Sequence, residues 1–196
     1  MSRAVKSSGP DRKKLALYGG ITILIVAVIV AIGLLNQSSV KKAASDAPIN
    51  STLKVGDTAP EFKVQTNAGP VDLASVGTPV LLEVFATWCP HCQRETSVLN
   101  SLAQKYAGKV QIVAVSGSPT GMDGNTPESQ ADVNQFGQNF NVRYPIAYDG
   151  DLAVAQKYIS GGYPTIVVID KNKKVTWITS GETPQAAIEK QINAVI

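Results

Sequence analysis

The only two cysteines and the only histidine of this 196-residue chain fall within four consecutive positions, Cys89-Pro90-His91-Cys92. Thiols at that spacing can close a stabilising disulfide, supply half of a zinc shell, or cycle electrons as a dithiol–disulfide couple. A bridge across two intervening residues closes so small a loop that it removes little entropy from the unfolded chain. Structural zinc needs four protein ligands, and the chain has no third cysteine and no second histidine to complete the shell. Redox exchange is the expectation, with no metal and no cofactor beyond the Cys89–Cys92 couple.

Such a pair has to be held by its neighbours. Val80–Ala86 is apolar at nearly every position, as expected of a strand covered on both sheet faces. A helix is expected directly after Cys89, with Pro90 at its first position, where a missing N–H costs nothing. It runs through "HCQRETSVLNSLAQKYA" and stops at Gly108. Cys89 then sits where free helix N–H groups and the helix dipole favour the thiolate, the reactive form. A protonated His91 would favour it further. Cys92, one turn in, becomes the buried resolving thiol.

Two acids join the list of candidates. Glu83 alternates with Leu81 and Phe85 on one face of the strand, so a solvent-facing position is not expected. Buried near the sulfurs, its carboxyl would have a raised pKa and could take and return the proton of Cys92. Glu95, one turn beyond Cys92, could serve the same purpose or act as an ordinary carboxylate at a helix start.

The remaining segments alternate between strand-like and helix-like, the pattern of an α/β fold with a central sheet. Runs at Phe62–Val64 and Val71–Leu73 bracket the turn "TNAGP" as a hairpin. Strands are expected at Val110–Val115, Pro145–Ala147, Thr165–Asp170 and Lys174–Thr179. Between them lie a loop at Ser116–Asn125, a helix from Thr126-Pro127 to Asn139, and another over Leu152–Tyr158. Thr183-Pro184 opens the last helix.

The first quarter of the chain is of another kind. Leu15–Leu35 carries no charged residue, and 21 helical residues reach roughly 30 Å, the thickness of a bilayer core. A cleaved signal peptide has an apolar core of only ~7–15 residues, so a retained transmembrane anchor is expected. Arg3, Lys6, Arg12, Lys13 and Lys14 precede the span and only Lys41 and Lys42 follow closely, which keeps the N-terminus inside. The expected organisation is a basic cytoplasmic N-terminus over 1–14, a span over 15–35, a small polar linker over 36–52 and one domain over 53–196. Residues 1–45 hold seven Lys/Arg against one acid, and residues 46–196 hold eleven against fourteen. The basic excess thus belongs to the membrane flank, and nucleic acid is not an expected partner.

"FATWCPHC" followed by "GGYPTIVVID" resembles the thioredoxin fold, and specifically the membrane-anchored TlpA/ResA-like thiol-disulfide oxidoreductases of bacteria. The opening "VGDTAPEF" is similar to the start of the wider group that contains peroxiredoxins. The resemblance covers about residues 53–196. It implies a thioredoxin-like α/β domain in which Cys89 attacks, Cys92 resolves and Trp88 is a flanking surface aromatic. Pro164, preceded by Tyr163, falls where the family has a cis-proline facing the disulfide, so that a substrate strand can dock there. Glu95 matches a carboxylate of ResA-like members, and Glu83 the buried acid of thioredoxins and DsbA-type oxidases. The implied partners are exported protein thiols or disulfides, apocytochromes among them, and a membrane redox protein, at the bacterial cytoplasmic membrane. Pro-His between the cysteines departs from the ResA-like pattern towards DsbA-type oxidases, so both directions of electron flow stay open. A peroxiredoxin would use one cysteine helped by a threonine, for which Thr87 is nearest. A copper-delivery protein would want wider cysteine spacing and a distant histidine.

Overall fold

The computed structural model describes residues 51–196. The basic N-terminus, the apolar span and the linker up to residue 50 lie outside the described residues. Among those described, no helix is long and apolar enough to cross a membrane.

Seven strands form one sheet: β1 (Lys63–Thr66), β2 (Gly69–Asp72), β3 (Val80–Phe85), β4 (Gln111–Ser116), β5 (Ile146–Tyr148), β6 (Thr165–Ile169) and β7 (Val175–Ser180). Their spatial order is β2-β1-β5-β4-β3-β6-β7. β3 lies parallel to β4 and antiparallel to β6, and β4 is parallel to β5, so the sheet is mixed. Four helices complete the domain: α1 (Pro90–Lys105), α2 (Gln130–Asn139), α3 (Ala155–Tyr158) and α4 (Gln185–Asn193). This is a thioredoxin-like α/β fold, as the segment pattern implied.

The unbroken apolar run of β3 has the expected consequence, because all six of its residues are buried. Val80, Leu82 and Val84 pack with Phe62, Leu73 and Tyr158 on one side of the sheet. Leu81 and Phe85 pack on the other with Leu99 and Leu102 of α1, Phe136 of α2 and Ile188 of α4. Each such large side chain contributes roughly 1.5–3 kcal/mol by leaving water. The second cluster is also the one that contains both cysteines. The buried face of α1 is Cys92, Glu95, Thr96, Leu99 and Leu102, the i, i+3, i+4, i+7 spacing of a helix laid on a sheet.

Most expected boundaries move by a residue or two. The larger difference is α2, which starts at Gln130 and not at Thr126-Pro127. Ser129 caps it in a full capping box: its hydroxyl accepts from Asp132 N–H, while the Asp132 carboxylate accepts from Ser129 N–H at 2.8 Å. Thr126 is instead captured by Asp123, which accepts from its N–H and its hydroxyl, both at 2.9 Å. The expected helix over Leu152–Tyr158 is only the single turn of α3. Asp149 Oδ2 holds the N–H groups of Val154 and Ala155, and Leu152 has a left-handed φ of 59° that no helix tolerates.

Candidate active site

β3 ends at Phe85, and four residues later Cys89 is the N-cap of α1, in extended conformation with φ −77° and ψ 116°. Pro90 occupies the first helical turn, as its fixed φ and missing donor allow. Both thiols are free. The Cys89 Sγ accepts the N–H of Cys92 at 3.4 Å, taking the place that an oxygen usually takes at an N-cap. The cap is therefore the reactive sulfur itself.

That geometry brings the Cys89 thiol down to about 6. The hydrogen bond from the Cys92 side chain acts most strongly, burial opposes it, and the N–H groups of Cys92 and His91 assist; the charge of His91 comes last. His91 acts through its charge in the expected direction, but as the smallest of these influences. Its ring is turned to the surface, with Nδ1 3.2 Å from Glu182 Oε2 and 2.7 Å from an Arg94 nitrogen. Its backbone N–H acts on the sulfur more than its imidazole does.

Cys92 is shifted the opposite way. Burial pushes its thiol far up, and the hydrogen bond to Cys89 and the nearby Glu83 carboxyl push in the same direction. Three positions apart, one sulfur is an easily formed thiolate and the other holds its proton.

The two expected carboxyls stand behind this pair. Glu83 is 2% exposed, and burial, followed by the charges of Glu95 and Cys89, holds its carboxyl well above the usual range. Glu95 is fully covered, so the helix-start reading of this residue does not hold. Burial raises it to about 7, although the Thr183 N–H donates to its Oε2 at 2.9 Å and opposes the rise. The Oε1 atoms of both acids are buried without a hydrogen-bond partner among the described residues. A carboxyl of raised pKa placed here can, once ionised, accept the proton that Cys92 must lose and later return it.

The segment leading into β6 closes over the sulfur. The Tyr163–Pro164 peptide bond is cis, and Tyr163 O lies 3.7 Å from Cys89 Sγ. Cys89 is consequently only 3% exposed, while Trp88 beside it is 39% exposed. The Trp88 and Tyr163 rings meet edge to face, with centroids 5.9 Å apart. All nine residues singled out from the sequence (Glu83, Trp88, Cys89, Pro90, His91, Cys92, Glu95, Tyr163 and Pro164) thus surround or adjoin one end of α1.

Comparison with known proteins fits this geometry. The Redoxin family profile matches residues 54–196. The chain belongs to the redoxin family. Within it, the chain is 31% identical over 148 residues to the thiol-disulfide oxidoreductase ResA of Geobacillus kaustophilus, covering 74% of this chain and 80% of that protein. ResA of Oceanobacillus iheyensis is 30% identical over 180 residues, covering 88% and 84% respectively. Among solved structures, a Chlorobium tepidum protein described as thiol:disulfide interchange protein DsbE superposes with a TM-score of 0.64. It is 30% identical and covers 74% of this chain and 99% of that one. The protein is a thiol-disulfide oxidoreductase of the ResA/DsbE type.

The redoxin domain also holds polar residues that sequence reasoning passed over. Glu128 is buried, 5% exposed, and its Oε1 accepts from the hydroxyls of Thr87 and Ser116, each at 2.8 Å. The Thr87 hydroxyl is therefore committed to Glu128, away from the peroxidase-like role considered for it. Tyr144, also buried, has its hydroxyl proton held by burial and by the neighbouring Glu83 carboxyl, with Thr96 as hydrogen-bond partner. Neither residue carries a local signal. Glu128 reads as a first-turn acid of a helix, and Tyr144 as one tyrosine in a polar stretch.

Proposed function

We propose that this chain is tethered to the bacterial cytoplasmic membrane by the span at residues 15–35, with its N-terminus inside. The redoxin domain, carried outside on the linker at 36–52, reduces disulfides of exported proteins. Apocytochromes are substrates of fitting chemistry, and a membrane dithiol donor would restore the reduced pair.

The Cys89 thiolate attacks one sulfur of a substrate disulfide, forming a mixed disulfide and releasing the other substrate sulfur as a thiolate. Cys92 then gives up its proton to Glu83 or Glu95, and its sulfur attacks Cys89 Sγ. The Cys89–substrate bond breaks as the Cys89–Cys92 bond forms, and the second substrate thiolate leaves. Two electrons have passed from the dithiol to the substrate. Trp88, Tyr163 and Pro164 border the place where the substrate strand lies, and no cofactor enters the cycle.

The reducing direction is supported by the setting of Cys89 at the helix N-cap, where the Cys92 N–H reaches its sulfur and the His91 ring does not, bringing the thiol down only to about 6. That is close to the ~7 of thioredoxin and far from the ~3.5 of a strong oxidase, in which a very stable thiolate stabilises the reduced form. The Pro-His dipeptide leans the other way in sequence, but the histidine ring that would strengthen the thiolate is directed at Glu182. Equilibration of the full chain against glutathione buffers tests this. A potential nearer the ~−270 mV of thioredoxin than the ~−120 mV of DsbA is expected, and a value close to the latter overturns the direction.

A further inference from the structure

The connection from β4 to α2 is tied to both sides of the Cys89 opening. The Tyr163 hydroxyl donates to Gly117 O. The Trp88 indole N–H donates to Ser118 Oγ at 2.9 Å. At the other end of the connection, Glu128 Oε1 accepts from the Thr87 hydroxyl at 2.8 Å and from Thr87 N–H at 3.4 Å. The base of the loop is closed across itself, by Glu128 N–H to Pro119 O at 3.4 Å and by a bridge between Thr120 and Pro127. Tyr148 OH fastens it again, donating to Glu128 O at 2.7 Å. One short piece of chain thus holds the residue before Trp88, the Trp88 ring and the Tyr163 ring.

A carboxyl at the centre of that arrangement is an expensive choice for mere stability. Glu128 is buried, and its Oε2 has no hydrogen-bond partner among the described residues. An apolar side chain of similar volume would avoid the desolvation of that oxygen. What an apolar residue could not do is receive two hydroxyls and an N–H from two different strand ends.

We propose that Glu128 is a positioning residue for polypeptide substrates. Through Thr87 and the closed loop base it sets the spacing of the Trp88 and Tyr163 rings. Those rings receive an extended polypeptide that carries an apolar side chain next to its reacting cysteine. A small disulfide, which needs only the sulfur, bypasses this control. The inference rests on the reading that Cys89 is the attacking thiol.

The test uses the full chain with insulin as the polypeptide disulfide and 5,5′-dithiobis(2-nitrobenzoate) as the small one. Glu128→Ala is expected to raise KM for insulin by about tenfold, the consequence of losing the three hydrogen bonds that its Oε1 accepts, with kcat within about twofold of wild type. Its reaction with the small disulfide should stay within about twofold. Glu128→Gln keeps an oxygen for both hydroxyls and should bring KM back to within about threefold of wild type. Ser118→Ala, which frees the indole while leaving the carboxyl in place, should raise KM for insulin by about threefold. The proposal is overturned if insulin KM is unchanged in Ser118→Ala and Glu128→Ala, or if Gln fails to restore it. It is equally overturned if the small-disulfide rate falls in parallel, which would locate the effect at the sulfur. Should Glu128→Ala not fold, Thr87→Val takes its place, since it removes a hydroxyl that Glu128 accepts. A rise in insulin KM of about threefold is then expected, and an unchanged KM overturns the proposal. Insulin reduction surviving in Cys89→Ser would instead defeat the underlying reading of the site, whatever these variants do.

Discussion

Cys89 and Cys92 are the same side chain, one helical turn apart, yet they sit in opposite environments. Cys89 caps the helix, and its sulfur receives a thiol hydrogen bond and two N–H groups, which bring it to about 6. Cys92 lies one turn in, near Glu83 and Tyr144, where burial, the hydrogen bond to Cys89 and the Glu83 carboxyl keep its proton on. Position on the helix sets the two sulfurs apart, with Tyr163 O lying against Cys89 and the Glu83 carboxyl pushing Cys92 up. Division of labour between attack and resolution therefore follows from where a helix begins.

The largest expected effects exchange the two sulfurs' fates. Cys89→Ser should abolish reduction of protein disulfides, whereas Cys92→Ser should still attack and then accumulate a mixed disulfide visible by mass spectrometry. An adduct formed by Cys89→Ser through Cys92 would break the comparison. In the wild type, the rate of adduct formation should rise with pH and reach half its maximum near 6, because only the thiolate attacks.

Next in size is the proton behind Cys92. Glu83→Ala should slow resolution by roughly 10²-fold, as expected of a lost acid–base group, while the first attack changes less than threefold. Rapid-quench separation of the two steps is the measurement. Equal slowing of both would mean that Glu83 serves the attacking sulfur too.

Glu95 gives a smaller effect, seen in stability. Its folded-state value of about 7 lies above the 4.5 of the solvated, unfolded carboxyl, so the folded chain binds more protons between those limits. Stability contributed by the neutral carboxyl is full below 4.5 and is lost as pH rises through 7. Glu95→Gln should therefore be more stable than wild type by about 2 kcal/mol at pH 8, a figure reduced for solvent screening, and no different at pH 4. Urea unfolding at the two pH values checks it. A wild-type stability that climbs from pH 5 to 8 would put Glu95 in a charged, well-solvated state.

The smallest effect belongs to His91. Its ring is exposed and shared with Glu182 and Arg94, and solvent screens such surface contacts. His91→Ala should raise the midpoint of Cys89 ionisation by less than about one pH unit, followed by thiolate absorbance. A larger rise would restore the imidazole as the main influence.

What could be seen in the sequence was what depends on near neighbours. A proline after a cysteine after an apolar run places a helix start, and consecutive burial along β3 forces Glu83 inward. The start of α2 is not legible locally because two capping signals, Thr126-Pro127 and Ser129, compete within four residues. Thr126-Pro127 lost to Ser129 once Asp123 had claimed the Thr126 hydroxyl, a choice settled by loop closure. Glu128 and Thr87 are 41 residues apart, and the Glu95 contact with Thr183 spans 88. Nothing local marks those pairs, since they exist only after β3, β4 and β7 are assembled. The covering of Cys89 by Tyr163 O has the same origin.

The strand that delivers the reactive sulfur is central in the sheet, with β4 on one side and β6 on the other. Amide exchange should be slowest there, because every opening of β3 requires breaking two ladders at once. The bond that turnover makes and breaks therefore sits at the lip of the strand whose opening is the hardest in the frame.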